Sequence, residues 1–142
     1  METMNRYRVR VAYDGTAYAG WQIQPHAVSV SGVLLKTFEQ VFAVSCSLVG
    51  ASRTDAGVHA YDQVMRIITP LALSPEHIRV AWNNRLPADI VIRSVEVVGD
   101  DFHPQFGVAY KEYWYHLFLA RPLPFLARFG TQLPEYIHSL DL

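Results

Sequence analysis

The stretch Arg6-Tyr7-Arg8-Val9-Arg10-Val11-Ala12-Tyr13-Asp14-Gly15 sets the pattern from which the fold is read. Arg6, Arg8 and Arg10 fall on one side, and Tyr7, Val9, Val11 and Tyr13 on the other. Side chains along a strand point alternately to opposite faces, so this period of two predicts a half-buried β-strand. Asp14-Gly15 closes it with a turn signal. The segment from Thr16 to Ala27 has no period and holds Gly20, Trp21, Gln22, Gln24 and Pro25, which predicts a long structured loop. Loops of that length tend to carry function.

Moving outward, the period changes at Val30. Val30, Val33, Leu34, Thr37, Phe38, Val41 and Phe42 share one face of an amphipathic helix, and Ser29 is placed to cap it. A short strand from about Ser47 to Gly50 feeds a small, polar loop, Ala51 to Ala60, and Val64 to Thr69 is β-branched enough to be the next strand. Ser74-Pro75-Glu76 is a helix start with cap, proline and acid in order, and Pro87 stops that helix after about Arg85. Ala88 to Val98 reads as a strand. Gly107 to Ala120 reads as a longer one, with Tyr113, Tyr115, Leu117 and Leu119 on one face. Strand, helix, strand, strand, helix, strand, strand is not a regular βαβ alternation. It predicts an α+β fold, a mostly antiparallel sheet with two helices packed on one face. Residues 1–120 form the expected domain. Residues 121–142, rich in proline and aromatic side chains, read as a linker in which Ser139 or Asp141 would cap a further helix.

Composition narrows the functional classes. The chain has 142 residues, 51% of them hydrophobic, with a net charge of −1, so it is neither disordered nor a polybasic tail. Ten of its twelve basic residues are arginine, Lys36 and Lys111 being the exceptions. Arginine presents a planar fork of donors to phosphate, so a neutral chain binds nucleic acid if its arginines gather on one face. Cys46 is the single cysteine, which excludes an intrachain disulfide and suits a reducing, cytoplasmic compartment. Its first residues are charged where a secretory signal would be apolar, and the uncharged run Gly15 to Leu35 is too polar to cross a membrane.

Chemistry concentrates in Gly50-Ala51-Ser52-Arg53-Thr54-Asp55-Ala56-Gly57-Val58-His59-Ala60. On spacing alone this is compatible with a polar turn whose hydroxyls and carboxylate bond their own backbone. Ser52, Asp55 and His59 are the residue types of a serine hydrolase, but the second glycine of a nucleophile elbow is missing. Asp55, His59 and Asp62 have no recognised metal-ligand spacing. Asp55 with Asp62 would suit a glycoside-type hydrolase.

The run Arg53-Thr54-Asp55-Ala56-Gly57-Val58-His59-Ala60 resembles the catalytic signature of the tRNA pseudouridine synthase A family. Ala12-Tyr13-Asp14-Gly15 with Tyr18, Gly20-Trp21-Gln22-x-Gln24, Asn83-Asn84-x-Leu86-Pro87-x-Asp89-Ile90, Asp101-Phe102-His103-Pro104 and Lys111-x-Tyr113-x-Tyr115 follow in that family's order. The resemblance implies a ferredoxin-like half-domain and a cofactor-free isomerisation of uridine to pseudouridine on the 3′ side of the anticodon stem and loop. It implies that Asp55 is the catalytic carboxylate, that Arg53 helps displace the target nucleotide, and that Tyr113 stacks on the uracil. Core packing is the alternative for Tyr113, and an ion pair with Asp55 the alternative for Arg53. The partners implied are the tRNA anticodon stem-loop and, for a full-length chain, a second copy in a homodimer.

Some positions depart from the family's pattern. Asp62 stands where glycine is usual, either close enough to raise the Asp55 pKa or turned to solvent. Gln105 and Gly107 replace the usual Arg and Ser, so a phosphate contact is expected to be missing. Asp141-Leu142 resembles the start of the family's second half, whose basic residue pairs with the catalytic carboxylate. The expectation is an incomplete site, weakly active or inactive. A non-catalytic RNA-binding module, with Arg6, Arg8, Arg10 and Arg53 tracking phosphates, is the alternative.

Overall fold

The computed structural model describes residues 2–134, and the capping roles of Ser139 and Asp141 lie outside them. The chain divides into two compact units, Met1–Val108 and Ala109–Leu142. In the first, β1 (Asn5–Tyr13), α1 (Val30–Phe42), β2 (Ser47–Gly50), β3 (Ala60–Thr69), α2 (Pro75–Asn83) and β4 (Ile90–Val97) follow one another in the expected order. The four strands form one antiparallel sheet in the order β2-β3-β1-β4, the ferredoxin-like βαββαβ arrangement.

Alternation along β1 becomes burial. Tyr7, Val9, Val11 and Tyr13 are buried, whereas Arg6, Arg8 and Arg10 are only half-buried on the opposite face. The apolar side continues through Met65 and Ile67 of β3 and Ile92 of β4, and is covered by Val30, Leu34 and Phe38 of α1 and Ile78 and Trp82 of α2. The Phe38 and Trp82 rings meet edge to face with centroids 5.0 Å apart. A buried indole N–H needs a partner, and Trp82 Nε1 donates to Thr37 Oγ1 at 3.0 Å, joining the two helices.

Local signals set the helix ends. Ser29 Oγ accepts from the Gly32 N–H and Ser74 Oγ from the His77 N–H, each satisfying a donor that the first turn leaves free. Asn83 ends α2 by bonding β4 twice, donating to Ile92 O at 2.9 Å and accepting from Ile92 N at 2.8 Å.

The expected strand Gly107–Ala120 is corrected. Only Leu117–Phe118 (β5) is extended and paired, in parallel with Thr131–Gln132 (β6). Alternating aromatic residues set which way side chains would point, but a strand exists only where a neighbour takes its backbone hydrogen bonds. In the described part of this unit that neighbour is two residues long.

Candidate active site

The loop between β2 and β3 carries Arg53, Asp55 and His59, and the long segment after β1 holds it in place. The Trp21 N–H donates to Thr54 O (3.0 Å) and the Gly57 N–H to Tyr18 O (3.2 Å). The Gly15 N–H donates to His59 Nδ1 at 3.0 Å, with Asp14 Oδ1 3.1 Å from the same nitrogen. Two glycines make this approach possible. A Cβ on Gly15 would lie 2.0 Å from Val58 O, and one on Gly20, whose φ is +97°, would lie 2.6 Å from Thr54 O. Backbone thus lies against backbone where any side chain would separate the two segments.

Side chains complete the frame. Tyr13 Oη and Thr54 Oγ1 share a hydrogen bond at 2.8 Å, and burial first of all pushes the Tyr13 phenol above its ordinary pKa. Gln63 Nε2 donates to Ser52 O at 2.6 Å, and Gln105 Nε2 to Gly50 O at 3.1 Å. Tyr18 Oη donates to Asp89 Oδ1 at 2.6 Å, while the Asp14 N–H donates to Asp89 O at 2.9 Å. Burial, and then this carboxylate, raise the Tyr18 pKa well beyond the usual phenol range. Four of the sequence segments singled out above therefore meet around one loop.

Within this frame Arg53 and Asp55 are both exposed. No ion pair joins them among the described residues. Arg53 borders a cavity of about 210 Å³ lined also by Trp21, Gln22, Ser31, Leu48 and Gln105. Tyr113 belongs to the unit 109–142, where it is 65% exposed.

Comparison with known sequences now bears on this loop. The sequence model of tRNA pseudouridine synthase matches residues 10–107, a span that runs from β1 through the loop to β4 and beyond. The chain belongs to the tRNA pseudouridine synthase family. Among relatives named tRNA pseudouridine synthase A, that of Lactiplantibacillus plantarum is 39% identical, with 80% of this chain and 44% of the relative covered. The Chlamydia muridarum protein is 43% identical over 82% of this chain and 45% of its own length. For Chlamydia pneumoniae the figures are 40%, 98% and 53%. The chain thus spans about half the length of the tRNA pseudouridine synthases it matches.

Other readings of the loop meet specific geometry. Asp62 of this family member turns to the open face of the sheet, where Arg10 Nε donates to its two oxygens at 2.8 and 3.0 Å and Arg93 Nη1 lies 2.9 Å away. Arg10, through this hydrogen bond above all, holds the Asp62 carboxyl below the usual range. An acid committed to two arginines is a poor second acid for a glycosidase-type pair with Asp55. Among the described residues no group of three His, Cys, Asp or Glu is arranged to hold a metal ion, so Asp55, His59 and Asp62 do not form such a set. No helix among them is long and apolar enough to cross a membrane.

Sequence reasoning missed two things. The clamp of Gly15 and Gly20 on the loop is a contact between distant backbones, signalled only by glycines in an aperiodic segment. Arg93 lies inside the strand expected over Ala88–Val98, with nothing local in the sequence to pair it with Asp62.

Proposed function

We propose that this chain is the catalytic-loop half of a cytoplasmic tRNA pseudouridine synthase acting on the anticodon stem-loop. In that reaction the N1–C1′ bond of uridine breaks and a C5–C1′ bond forms, N1 gaining a proton and C5 losing one, so the net change is an isomerisation that needs no redox partner. The observation that carries the reading is an exposed Asp55 on a loop whose backbone is clamped from both sides. A fixed carboxylate open to substrate suits attack at a sugar carbon or removal of a proton. Exposed Arg53, two residues earlier, is suited to fill the space left by a displaced nucleotide and to bond a phosphate. Tyr113 offers an exposed aromatic face for stacking on uracil.

The relatives are about twice as long, and turnover by this chain alone is expected to be weak or absent, with a full-length protein working as a homodimer. The test is to incubate the chain with unmodified tRNA and map pseudouridine in the anticodon arm, alone and after joining it to the remainder of a relative. Pseudouridine that disappears in Asp55→Ala, with the melting temperature unchanged, supports the reading. Full turnover by the 142-residue chain would overturn the expected weakness, and turnover surviving in Asp55→Ala would overturn the role of Asp55. A binding module without catalysis would retain RNA yet form no pseudouridine in either protein.

A further inference from the structure

The face of the sheet away from the helices carries a charge pattern that the catalytic loop does not use. Arg6 pairs with Asp100 at 2.7 Å, Arg8 with Glu96, and Arg10 with Asp62. Arg8 stands directly opposite Arg66 across the β1–β3 pair, an arrangement of like charges that costs stability in a sheet. Among the described residues three buried side-chain polar atoms lack a hydrogen-bond partner, Arg8 Nε, Arg66 Nε and Ser94 Oγ, and all belong to residues of this face that can donate. Buried polar atoms are nearly always satisfied, so a face that leaves donors over is short of acceptors.

Two irregularities concentrate the pattern at one end. The β1–β3 register shifts between Val11 and Tyr13, and the β1–β4 register shifts between Arg10 and Val11. Arg10 pairs with Ser94 and Val11 with Ile92, which leaves Arg93 as the extra residue of a bulge. Bulges re-aim side chains and recur beside active sites. Here the bulge lets Arg93 of β4 reach Asp62 of β3 across β1, while its guanidinium lies over the Tyr61 ring, 4.6 Å from the centroid. Asp62 follows the catalytic loop by only a few residues, so this site and Asp55 lie at the same end of β3.

A carboxylate gripped by Arg10 from the side and by Arg93 from across the sheet is held as a phosphate would be held. We propose that Arg10 and Arg93 form a binding site for a backbone phosphate of the RNA substrate, and that Asp62 occupies this site as an internal stand-in until the phosphate displaces it. The inference rests on the RNA-substrate reading above and adds to it a second contact besides Arg53. The acid keeps two arginines oriented and prevents them from capturing unrelated anions. RNA, which brings many phosphates at once, outcompetes a single carboxylate through its other contacts.

The experiment measures retention of an anticodon stem-loop RNA by the whole chain over a range of salt concentrations. Asp62→Asn keeps the shape and removes the charge. It is expected to bind roughly threefold more tightly at low salt, and to steepen the slope of log affinity against log salt by about 0.7, the change for one single-strand phosphate contact. Adding Arg93→Gln to Asp62→Asn should cancel both gains. Glu96→Gln removes an equal charge from the same face, at Arg8, and is expected to produce less than half the gain. An equal gain would mean general electrostatics and would overturn the proposal. Unchanged affinity and slope in a folded Asp62→Asn would also overturn it, and if pseudouridine still forms, the catalytic reading stands. A direct readout uses inorganic phosphate: titration should shift the side-chain N–H resonances of Arg10 and Arg93 in Asp62→Asn, shift them far less in the unmutated chain, where Asp62 holds the site, and leave that of Arg79 unmoved in both. Equal shifts in all three would count against a specific site.

Discussion

The two faces of the sheet are built from the same strands, one residue out of step, and they do opposite work. Toward the helices Tyr7, Val9, Val11 and Tyr13 are buried among Leu34, Phe38 and Trp82, and nothing there is exchangeable. Away from the helices Arg6, Arg8 and Arg10 pair with Asp100, Glu96 and Asp62 at a surface open to solvent. Stability therefore resides on the covered face, where apolar area leaves water. The open face contributes little to stability, because exposed ion pairs are worth on the order of 1 kcal/mol or less.

The most damaging way to probe this contrast is Trp82→Ala. It removes a fully buried indole, its edge contact with Phe38 and its bond to Thr37, and should cost about 3–5 kcal/mol by chemical denaturation. A loss below about 1 kcal/mol would place the core elsewhere. Next comes Gly20→Ala, at the joint between the covered core and the loop. Its φ of +97° and the short approach to Thr54 O predict a loss of about 1–3 kcal/mol. The Trp21 amide, bonded to Thr54 O, should exchange its hydrogen faster, and an unchanged rate would show that the loop is not clamped there.

On the open face the pH profile is the finer probe. Arg10 lowers the folded-state pKa of Asp62, so the ionised acid adds stability above its unfolded value, about pH 4, and that stability is lost as pH falls through the lower folded value. Asp62→Asn should remove this contribution, lowering stability near neutrality by less than about 1 kcal/mol, flattening the acid limb by the same amount and leaving stability at low pH unchanged. A loss comparable with that of Trp82→Ala would erase the distinction between the faces. The smallest effect concerns Cys46, which packs against the covered core and whose thiol burial pushes up to about 12. Its alkylation near pH 8 should be slow and should accelerate in Trp82→Ala but not in Asp62→Asn.

How much of this was legible in the sequence depends on how local the cause is. β1 and α1 follow from periods of two and 3.6 and from Ser29, all within a few residues, and they form where expected. β3 begins earlier than the β-branched run Val64–Thr69 because Tyr61, Asp62 and Gln63 lie beside β1 rather than because of their own propensity. Gly107–Ala120 shows the reverse: its alternation is genuine, but among the described residues only Thr131–Gln132 pairs with it, and only Leu117–Phe118 is a strand. At the site, the signature around Asp55 was legible as residue types in order. The bulge that extends Arg93 to Asp62 was not, since a bulge is a property of two paired strands and leaves no mark on either sequence alone.

Trp21 offers a last consequence. Its indole lies against Gly50, where any Cβ would come within 2.7 Å of the ring, and its own backbone N–H holds Thr54. The protein thus carries a fluorophore wedged at the hinge of its candidate catalytic loop. With Trp82 and Trp114 replaced by phenylalanine, the emission colour and lifetime of this single indole would report, without any attached dye, whether the loop stays seated or lifts when a stem-loop docks.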